Sequence, residues 1–216
     1  MQTAQVREQM IEQQVRAWDV LDERVLDAMR QIPRERFVPD SERYRAYADA
    51  EVPLTHGQHM LRPSVVGRLL QALLPQPHEQ VLQLGAGTGF VTACLRAMAG
   101  RVRALELYPD LAENARTNLA ALAVRGAEIM DADALRFESA TRFDVIAVTA
   151  SLPIYDARFE RLLSVGGRLF IVVGEAPVME ARLVRRTAED AWSTQSVFET
   201  VIDPLVHAVR PAEFTF

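Results

Sequence analysis

The stretch "VLQLGAGTGFVTA" at residues 81–93 decides the fold class. A short apolar strand leads directly into Gly85, Gly87 and Gly89, and the residues after them have a helical pattern. Backbone amides at such a strand-to-helix turn face a ligand at the carboxyl end of a parallel sheet. We therefore predict a ligand-binding turn in which the amides of residues 87–89 point toward the ligand.

The spacing of the glycines indicates which ligand the turn binds. A dinucleotide-binding fingerprint needs a third small residue one place later, where helix and strand touch, but position 90 is phenylalanine. Gly-x-Gly-x-Gly suits S-adenosylmethionine, which has no pyrophosphate and whose amino-acid end lies on the turn. We predict S-adenosylmethionine as cofactor and S-adenosylhomocysteine as its product.

The chain from residue 64 onward is predicted to form a doubly wound α/β sheet. A helical segment at 64–74 is followed by short apolar strands that alternate with helical segments, a pattern typical of parallel pairing with right-handed crossovers. The predicted strands are 80–85, 101–106, 127–132, 144–150 and 167–174. Two further strands, at 195–202 and 204–209, are predicted near an antiparallel edge.

Residues 1–63 are predicted to form a helical and irregular layer against this core. Helices are expected at 5–18 and 22–32, the second capped by Asp22 and stopped by Pro33. We interpret the layer as an appendage, so that residues 1–216 make a single methyltransferase domain with an α/β core at 64–216. The arginines of this layer are interspersed with acids and are interpreted as ordinary surface: Arg34, Arg36, Arg43 and Arg45.

Composition argues against nucleic acid and membranes as partners. Twenty-four basic residues stand against 29 acidic ones, for a net charge of −5, which gives no overall attraction to phosphates. The segment "TASLPIYD" at 149–156 lacks the Asn/Asp-Pro-Pro-aromatic motif of many amine and base methyltransferases. No apolar run is long enough to span a bilayer and the N-terminus lacks a signal-peptide pattern, so we expect a soluble, cytoplasmic protein. The lone Cys94 is expected to be buried in packing.

Polar residues at the ends of the next strands complete the predicted cofactor site. Glu106 ends the second core strand and can accept hydrogen bonds from both ribose hydroxyls; alternatively it is a solvated charge at a strand end. Asp133 can accept from the adenine amino group, with Asp131 as a competing candidate and a helix N-cap as the structural alternative. Thr149 is expected beside the crevice at the end of the fourth strand.

At this point the chain resembles the protein-L-isoaspartate O-methyltransferase family over nearly all its length. The similar blocks, in the order and spacing of that family, are "RVLDAMRQIPRERFVP", "AYADAEVPLTHGQ", "VLQLGAGTGFVTA", "FDVIAVTA", "LLSVGGRLFIVVG" and "DPLVHA". The resemblance implies a Rossmann-like S-adenosylmethionine-dependent methyltransferase fold, with an altered form of the usual sheet and extra helices. It also implies methyl transfer to the free α-carboxylate of L-isoaspartyl residues in damaged proteins, so that a peptide or protein carboxylate is the expected partner.

The loop before the core departs from the family pattern. Members usually have Gly-Gln-Thr-Ile-Ser-Gln-Pro there, whereas this chain has Gly-Gln-His-Met-Leu-Arg-Pro at 57–63. His59 replaces the threonine and Leu61 replaces the serine that the family treats as its active-site residue. Because a carboxylate is already ionised near neutral pH, methyl transfer to it needs orientation rather than a general base. We therefore predict that His59 or Arg62 positions the acceptor, with a structural role for either as the alternative.

Two other differences lie close to the predicted cofactor. Gln83 stands where an acid is usual in the first strand, and alanines flank Asp133 where glycines are common. The predicted cofactor-binding positions are Gln58, Gly85, Ala86, Gly87, Thr88, Gly89, Glu106, Leu107, Asp133, Ala134 and Thr149.

The two histidines of the altered loop raise the question of a metal site. His56 and His59 are close in sequence, but no further ligands complete a metal-binding pattern, so no metal is predicted. His56 alternatively hydrogen-bonds the loop backbone.

The alternatives to isoaspartyl methylation are methylation of a different carboxylate, or cofactor binding without turnover in an interaction protein. The sequence does not indicate an oligomeric state.

Overall fold

The computed structural model describes residues 2–211, which form one large sheet, a short two-stranded ribbon and several helices. The α-helices are α1 Gln2–Met10, α2 Glu23–Gln31, α3 Pro63–Leu73, α4 Phe90–Met98 and α5 Pro109–Ala121. The ribbon strands are β1 Val52–Pro53 and β2 His59–Met60. The strands of the large sheet are β3 Gln80–Leu84, β4 Arg101–Glu106, β5 Ala127–Asp131, β6 Phe143–Leu152, β7 Leu163–Glu175, β8 Val178–Ala188 and β9 Ala191–Glu199.

The large sheet has the strand order β5-β4-β3-β6-β7-β8-β9. Pairing is parallel from β5 to β7 and antiparallel between β7, β8 and β9. The predicted Rossmann-like sheet is confirmed, with all five predicted core strands at their expected places. The chain leaves β3 toward β4 and later returns to β6 on the other side of β3, which opens a crevice at the carboxyl ends of β3 and β6.

The prediction of a strand at 204–209 is wrong. The only β-pairing of these residues is an isolated bridge between Ser151 and Pro204. Proline has no N–H to donate to a ladder, and the neighbouring backbone instead joins Ser151: Ser151 N donates to Asp203 O (2.8 Å) and Leu205 N donates to Ser151 O (2.8 Å). We call residues 202–207 the C-terminal strap, because they cross the end of β6.

The antiparallel edge of the sheet begins earlier than the sequence pattern indicated. β8 was not predicted, although its buried Met179, Ala181 and Leu183 alternate with Glu180 and Arg182 in the two-residue period of a half-buried strand. β9 contains most of the segment predicted at 195–202 but starts at Ala191. A hairpin with β7 gives β8 its partner, a contact that local hydrophobicity does not reveal.

Alternate side chains of the sheet enter two hydrophobic clusters. On β6, Val145 and Ala147 face one cluster while Ile146 and Val148 face the other, as the two-residue period of a strand requires. The first cluster also holds the buried residues of helices α1 to α5 and of the N-terminal layer. The second is covered by irregular segments and the strap, so the α-helices of the described chain pack on one face of the sheet.

The N-terminal layer follows its predicted helices. The helix expected at 5–18 is α1 continued by a π-helical turn at Ile11–Val15 and a 3₁₀ turn at Arg16–Trp18. Asp22 caps α2 as predicted, accepting from Arg24 N at 2.9 Å and Val25 N at 3.4 Å. Within residues 2–211, no helix combines the length and apolar composition needed to cross a membrane.

Candidate active site

A cleft of about 840 Å³, partly open to solvent, lies at the carboxyl ends of β3, β4 and β6. The sequence-predicted residues that line it are Gln58, His59, Leu61, Gly85, Ala86, Gly87, Thr88, Glu106, Leu107, Asp133, Ala134 and Thr149. Two predicted residues, Gly89 and Arg62, are not part of the lining.

The glycine turn needs its glycines for backbone conformation and for close packing. Gly85, Gly87 and Gly89 have φ angles of +89°, +54° and +88°, a region that other residues rarely adopt. A Cβ on Gly85 would lie 3.0 Å from Thr149 Oγ1, and a Cβ on Gly89 would lie 3.3 Å from the Ala115 carbonyl oxygen. Gly89 therefore lets the start of α4 pack on α5 behind the cleft.

Glu106 is buried at the floor of the cleft, with only 6% of its surface exposed. Its carboxylate accepts from Gly87 N (2.7 Å) and Tyr108 N (3.1 Å). Burial raises the pKa of Glu106 above its ordinary value, and the backbone N–H groups only partly oppose that rise. The structure therefore contradicts a solvated strand-end charge. It also corrects the expectation that the amides of residues 87–89 face a ligand: Gly87 N is bonded to this carboxylate, and Gly89 N donates to Ala86 O (2.9 Å) within the turn.

Gln83 lies beneath the turn and is fully buried. Its Nε2 donates to Gly85 O (2.8 Å), while its Oε1 accepts from Thr92 Oγ1 (2.7 Å). Thr149 Oγ1 donates to the carbonyls of Leu84 and Gly85 from the other side. A carboxylate at position 83 would have no proton to donate to Gly85, so glutamine is the residue whose two ends match this environment.

Asp133 and Asp131 have different surroundings. Asp133 lines the cleft, accepts from Leu135 N (2.9 Å) in a turn, and accepts from His207 Nδ1 (3.0 Å). Burial opposes ionisation of Asp133, but hydrogen bonds from His207 and Leu135 N hold its pKa below the ordinary value. Asp131 lies outside the lining and pairs with Arg116 at 2.7 Å. The cleft therefore presents Asp133 to a ligand.

The segment from Leu54 to Ser64, which we call the front loop, is held at both of its histidines. His56 stacks on Tyr108, with ring centroids 4.0 Å apart, and donates from Nε2 to Asp110 Oδ1 at 2.8 Å. The bond from His56 helps hold the pKa of Asp110 below its ordinary value. The loop is thereby fixed to the start of α5 by side chains, and not through its own backbone as the alternative reading of His56 proposed.

His59 joins the front loop to the C-terminal strap. Its Nδ1 donates to Asp203 Oδ2 at 2.7 Å, and His59 is one of the residues that line the cleft. His56 and His59 thus bond to separate aspartates. Within residues 2–211, no group of three or more histidine, cysteine, aspartate and glutamate side chains is placed to hold a metal ion.

The remaining loop candidates differ in their exposure to the cleft. Leu61, at the family serine position, lines the cleft and is 7% exposed. Arg62 lies outside the lining, and its buried Nε has no hydrogen-bond partner among the described residues. Cys94 is buried, and burial raises its pKa to about 12, consistent with its expected packing role.

The interpretation of Arg34 as ordinary surface is wrong. Its side chain is fully buried and lines the cleft, with Nε donating to Ala46 O (3.1 Å) and Nη2 donating to Leu61 O (2.9 Å). Its guanidinium carbon lies 5.0 Å from the ring centroid of Phe90. Burial lowers its pKa to about 10, so it stays charged near neutral pH. In the sequence Arg34 is interspersed with acidic residues, and this pattern did not indicate that its side chain is buried.

Comparison with known proteins identifies the family. A sequence model of the protein-L-isoaspartate(D-aspartate) O-methyltransferase family matches residues 4–210. The chain belongs to this family. Among its relatives within the family, protein-L-isoaspartate O-methyltransferase 1 of Rhodopseudomonas palustris strain HaA2 is 37% identical over 203 residues, covering 93% of this chain and 82% of the relative. Protein-L-isoaspartate O-methyltransferase 2 of Marinobacter nauticus is 34% identical over 203 residues, covering 93% of each chain.

A solved structure of the same family has the same fold. It is a Plasmodium falciparum protein described as a protein-L-isoaspartate O-methyltransferase in complex with S-adenosyl-L-homocysteine. The TM-score is 0.79 at 20% sequence identity, with 92% of this chain and 97% of that chain covered. The family match confirms the resemblance drawn from the sequence blocks, including those on either side of the altered front loop.

Proposed function

We propose that this protein transfers a methyl group from S-adenosylmethionine to the free α-carboxylate of L-isoaspartyl residues, a first step in their repair. The single observation that carries the proposal is the family match over residues 4–210. The relatives at 34% and 37% identity carry the isoaspartate methyltransferase name, and the related Plasmodium structure contains the demethylated product of the cofactor.

The residues of the cleft fit the cofactor. Glu106 has acceptor oxygens for the ribose hydroxyls at the end of β4, and Asp133 has an acceptor for the adenine amino group. Gly85 and Gly87 line the cleft and have no side chain, so a ligand can approach the backbone of the turn closely. Our proposed cofactor contacts are Gln58, Gly85, Ala86, Gly87, Thr88, Glu106, Leu107, Asp133, Ala134 and Thr149, with Gly89 shaping the turn from behind.

S-adenosylmethionine, when bound, supplies an electrophilic methyl group on a positively charged sulfur. An acceptor carboxylate with a pKa of about 4 is ionised at neutral pH, so the protein needs no general base. The work left to the chain is to orient the carboxylate and to exclude water. Leu61 and Met60 of the front loop and Leu205 of the strap form an apolar wall suited to the second task.

We assign the orientation of the acceptor to His59. Its Nδ1 is fixed by Asp203, which leaves Nε2 for a contact with a ligand, and His59 is one of the residues that line the cleft. An imidazole that donates from both nitrogens can bond Asp203 and the acceptor carboxylate at the same time. Arg62 is the competing candidate, although it lies outside the lining.

The test is methyl transfer to paired isoaspartyl and aspartyl peptides of the same sequence. We expect a base-labile methyl ester on the isoaspartyl peptide only. His59→Ala should raise the KM for that peptide by about tenfold, the value of one charged hydrogen bond. His78→Ala is the matched control, because His78 is exposed outside the cleft.

Each alternative has its own outcome. A larger effect of Arg62→Ala than of His59→Ala would transfer the positioning role to Arg62. Methylation of other carboxylates, with none of the isoaspartyl peptide, would contradict the acceptor and favour a different substrate suited to the apolar Leu61. Tight binding of S-adenosylhomocysteine with no methylation of any cell-extract protein would favour an interaction protein without turnover.

A further inference from the structure

Arg34 has hydrogen-bonding capacity that the protein leaves unused. Of its guanidinium nitrogens, Nε and Nη2 donate to Ala46 O and Leu61 O, while the buried Nη1 has no partner among the described residues. No carboxylate of residues 2–211 forms a salt bridge with Arg34 at 4.0 Å or less. Asp49, the nearby acid on the N-terminal layer, accepts instead from Ser64 N (3.0 Å) and Ser64 Oγ (2.9 Å).

A buried cation without an anion is costly, so its retention in a cleft wall calls for a partner from outside the chain. Burying a charge without pairing loses solvation that neutral hydrogen bonds to two carbonyls only partly replace. Two other arginines are buried among the described residues. Arg168 bonds Glu79 through both Nη1 and Nη2 at 2.8 Å, and Arg186 donates to backbone carbonyls through Nε, Nη1 and Nη2. Neither leaves a buried guanidinium nitrogen without a partner, whereas Arg34 does. Arg34 differs from Arg168 in lining the cleft.

The position of Arg34 points to a particular chemical class of ligand. The guanidinium touches Phe90, the residue that follows the glycine turn, and bonds the carbonyl of Leu61 in the acceptor-facing loop. A guanidinium recognises a carboxylate with charge-assisted hydrogen bonds. The proposed reaction brings two carboxylates into this cleft, one on the amino-acid end of the cofactor and one on the acceptor.

We propose that Arg34 binds a ligand carboxylate through its free Nη1 from the wall of the cleft. This inference rests on the proposed function, and it adds a binding residue outside the glycine turn and the altered loop. The carboxylate belongs either to the cofactor or to the acceptor, and the two sources give different experimental results.

The experiment measures binding by calorimetry on the full chain with two ligands. S-adenosylhomocysteine carries the carboxylate, and S-adenosyl-3-thiopropylamine is the same molecule without it. If the cofactor is the source, Arg34→Met should weaken S-adenosylhomocysteine by about 10- to 100-fold and leave the decarboxylated compound unchanged. If the acceptor is the source, both affinities should hold while the KM for the isoaspartyl peptide rises by about tenfold at constant kcat.

The controls separate a binding role from a structural one. Arg168→Met removes a buried guanidinium away from the cleft and should lower the Tm without changing the preference between the two ligands. Arg34→Lys keeps the charge and should retain an intermediate preference, and it replaces Arg34→Met if that variant does not fold. In the unmodified protein labelled with ¹⁵N-arginine, the Arg34 Nη signals should shift with S-adenosylhomocysteine, or with the peptide, but not with the decarboxylated compound alone.

Two results would overturn the inference. One is a folded Arg34→Met protein whose ligand affinities and peptide KM match those of the unmodified chain. The other is an equal loss of affinity for both adenosyl compounds, which would mean that Arg34 only supports the loop backbone. Failure of the unmodified protein to bind S-adenosylhomocysteine at all would instead contradict the proposed function.

Discussion

Gln83, Glu106 and Arg34 are the buried polar side chains on which the cleft depends. Each is held by backbone groups that the glycine turn or the front loop presents. A polar group without a partner is costly when it is buried. Exchanging amide and acid at position 83 or 106 therefore changes both the stability of the protein and the binding of the cofactor, because the donors and acceptors around Gln83 and Glu106 no longer match.

Glu106→Gln should weaken S-adenosylhomocysteine binding by about 10- to 100-fold. An amide at this position turns an N–H group toward Gly87 N or Tyr108 N, where two donors then oppose each other. In the unmodified protein, burial raises the pKa of Glu106 above 4.5, so the carboxylate gains a proton at a higher pH than an ordinary glutamate. The affinity for S-adenosylhomocysteine should therefore fall as the pH is lowered through the raised pKa of Glu106, which calorimetry at a series of pH values measures.

The Glu106→Gln variant is also the control for this pH effect. Its weaker binding should not depend on pH over the same window, because no carboxylate titrates at position 106. Asp133 should not contribute there, since its pKa lies below 3.8. An equally steep pH dependence in the variant would show that another group causes it.

Gln83→Glu restores the acid that is usual in the family and should nevertheless destabilise this chain by about 1–3 kcal/mol at pH 7. The introduced carboxylate would face Gly85 O with no proton to donate and would lose the bond that Gln83 Nε2 now makes. Burial should raise its pKa, so the penalty should shrink as the pH falls and the group becomes protonated. Denaturant unfolding at pH 7 and pH 5 measures this, and an unchanged or increased stability at pH 7 would contradict it.

The elements of the N-terminal layer are attached to the core through close helix packing. α3 presents Gly67 to the π-helical turn Ile11–Val15 and to Val20, and the buried residues of both regions share one hydrophobic cluster. Arg30 of α2 adds ion pairs that cross to the first helix, including those with Glu8 (3.1 Å) and Glu12 (3.0 Å). These surface pairs contribute less than the apolar contact.

Gly67→Ala should therefore loosen the N-terminal layer. The added Cβ would lie 2.6 Å from Val15 Cγ1 and 3.0 Å from Val20 Cγ2, and overpacking of this kind costs about 1–3 kcal/mol. Alanine favours a helix more than glycine does, so a gain in stability would show that the layer yields without cost. Thermal unfolding measures the change. Val15→Ala in the same variant provides the control, because it removes the clashing methyl groups and should recover part of the loss.

The cleft as a whole is enclosed by chain segments that histidine–aspartate pairs connect. His56–Asp110 fixes the front loop to α5, His59–Asp203 fixes it to the strap, and His207–Asp133 fixes the strap to the turn that follows β5. Hydrogen bonds from His56 and from His207 help hold the pKa values of Asp110 and Asp133 below those of ordinary aspartates. The stability that these two carboxylates contribute is thus present above the ordinary pKa of an aspartate and is lost as the pH falls through their lowered pKa values.

Asp203→Ala should release the front loop from the strap without unfolding the sheet. Hydrogen exchange should speed up in residues 58–61 and in the strap, while β3 and β4 keep their protection. Saturating S-adenosylhomocysteine should slow exchange in both segments of the unmodified protein, because residues of both line the cleft and ligand binding stabilises the folded arrangement that it contacts. Asp110→Ala is the matched control, and it should affect the loop around His56 but not the strap. Identical exchange in the Asp203→Ala and unmodified proteins would contradict the connection.

Prediction from sequence succeeded where a feature is local in the chain. The strand before Gly85, the turn itself and the carboxylate at the end of the next strand follow from short-range pattern and spacing, and the structure places Glu106 with the glycine turn. Prediction missed β8, although the alternation of its buried Met179, Ala181 and Leu183 with charged residues is the local pattern of a half-buried strand; its pairing with β7 is the part that the pattern does not give. It also failed for Arg34, because the residues around it have the charge pattern of an exposed turn.

Hydrophobic periodicity, glycine spacing and helix caps thus determined the parallel sheet, the turn and the cofactor class, because each depends on neighbours within one element. The tertiary structure alone decided which charges are buried and which polar groups meet. His59 and Asp203 are 144 positions apart, and Arg34 and Leu61 are 27 apart. Contacts at such separations depend on how the packed core returns the chain to the same place, and local conformational preferences carry no information about that path.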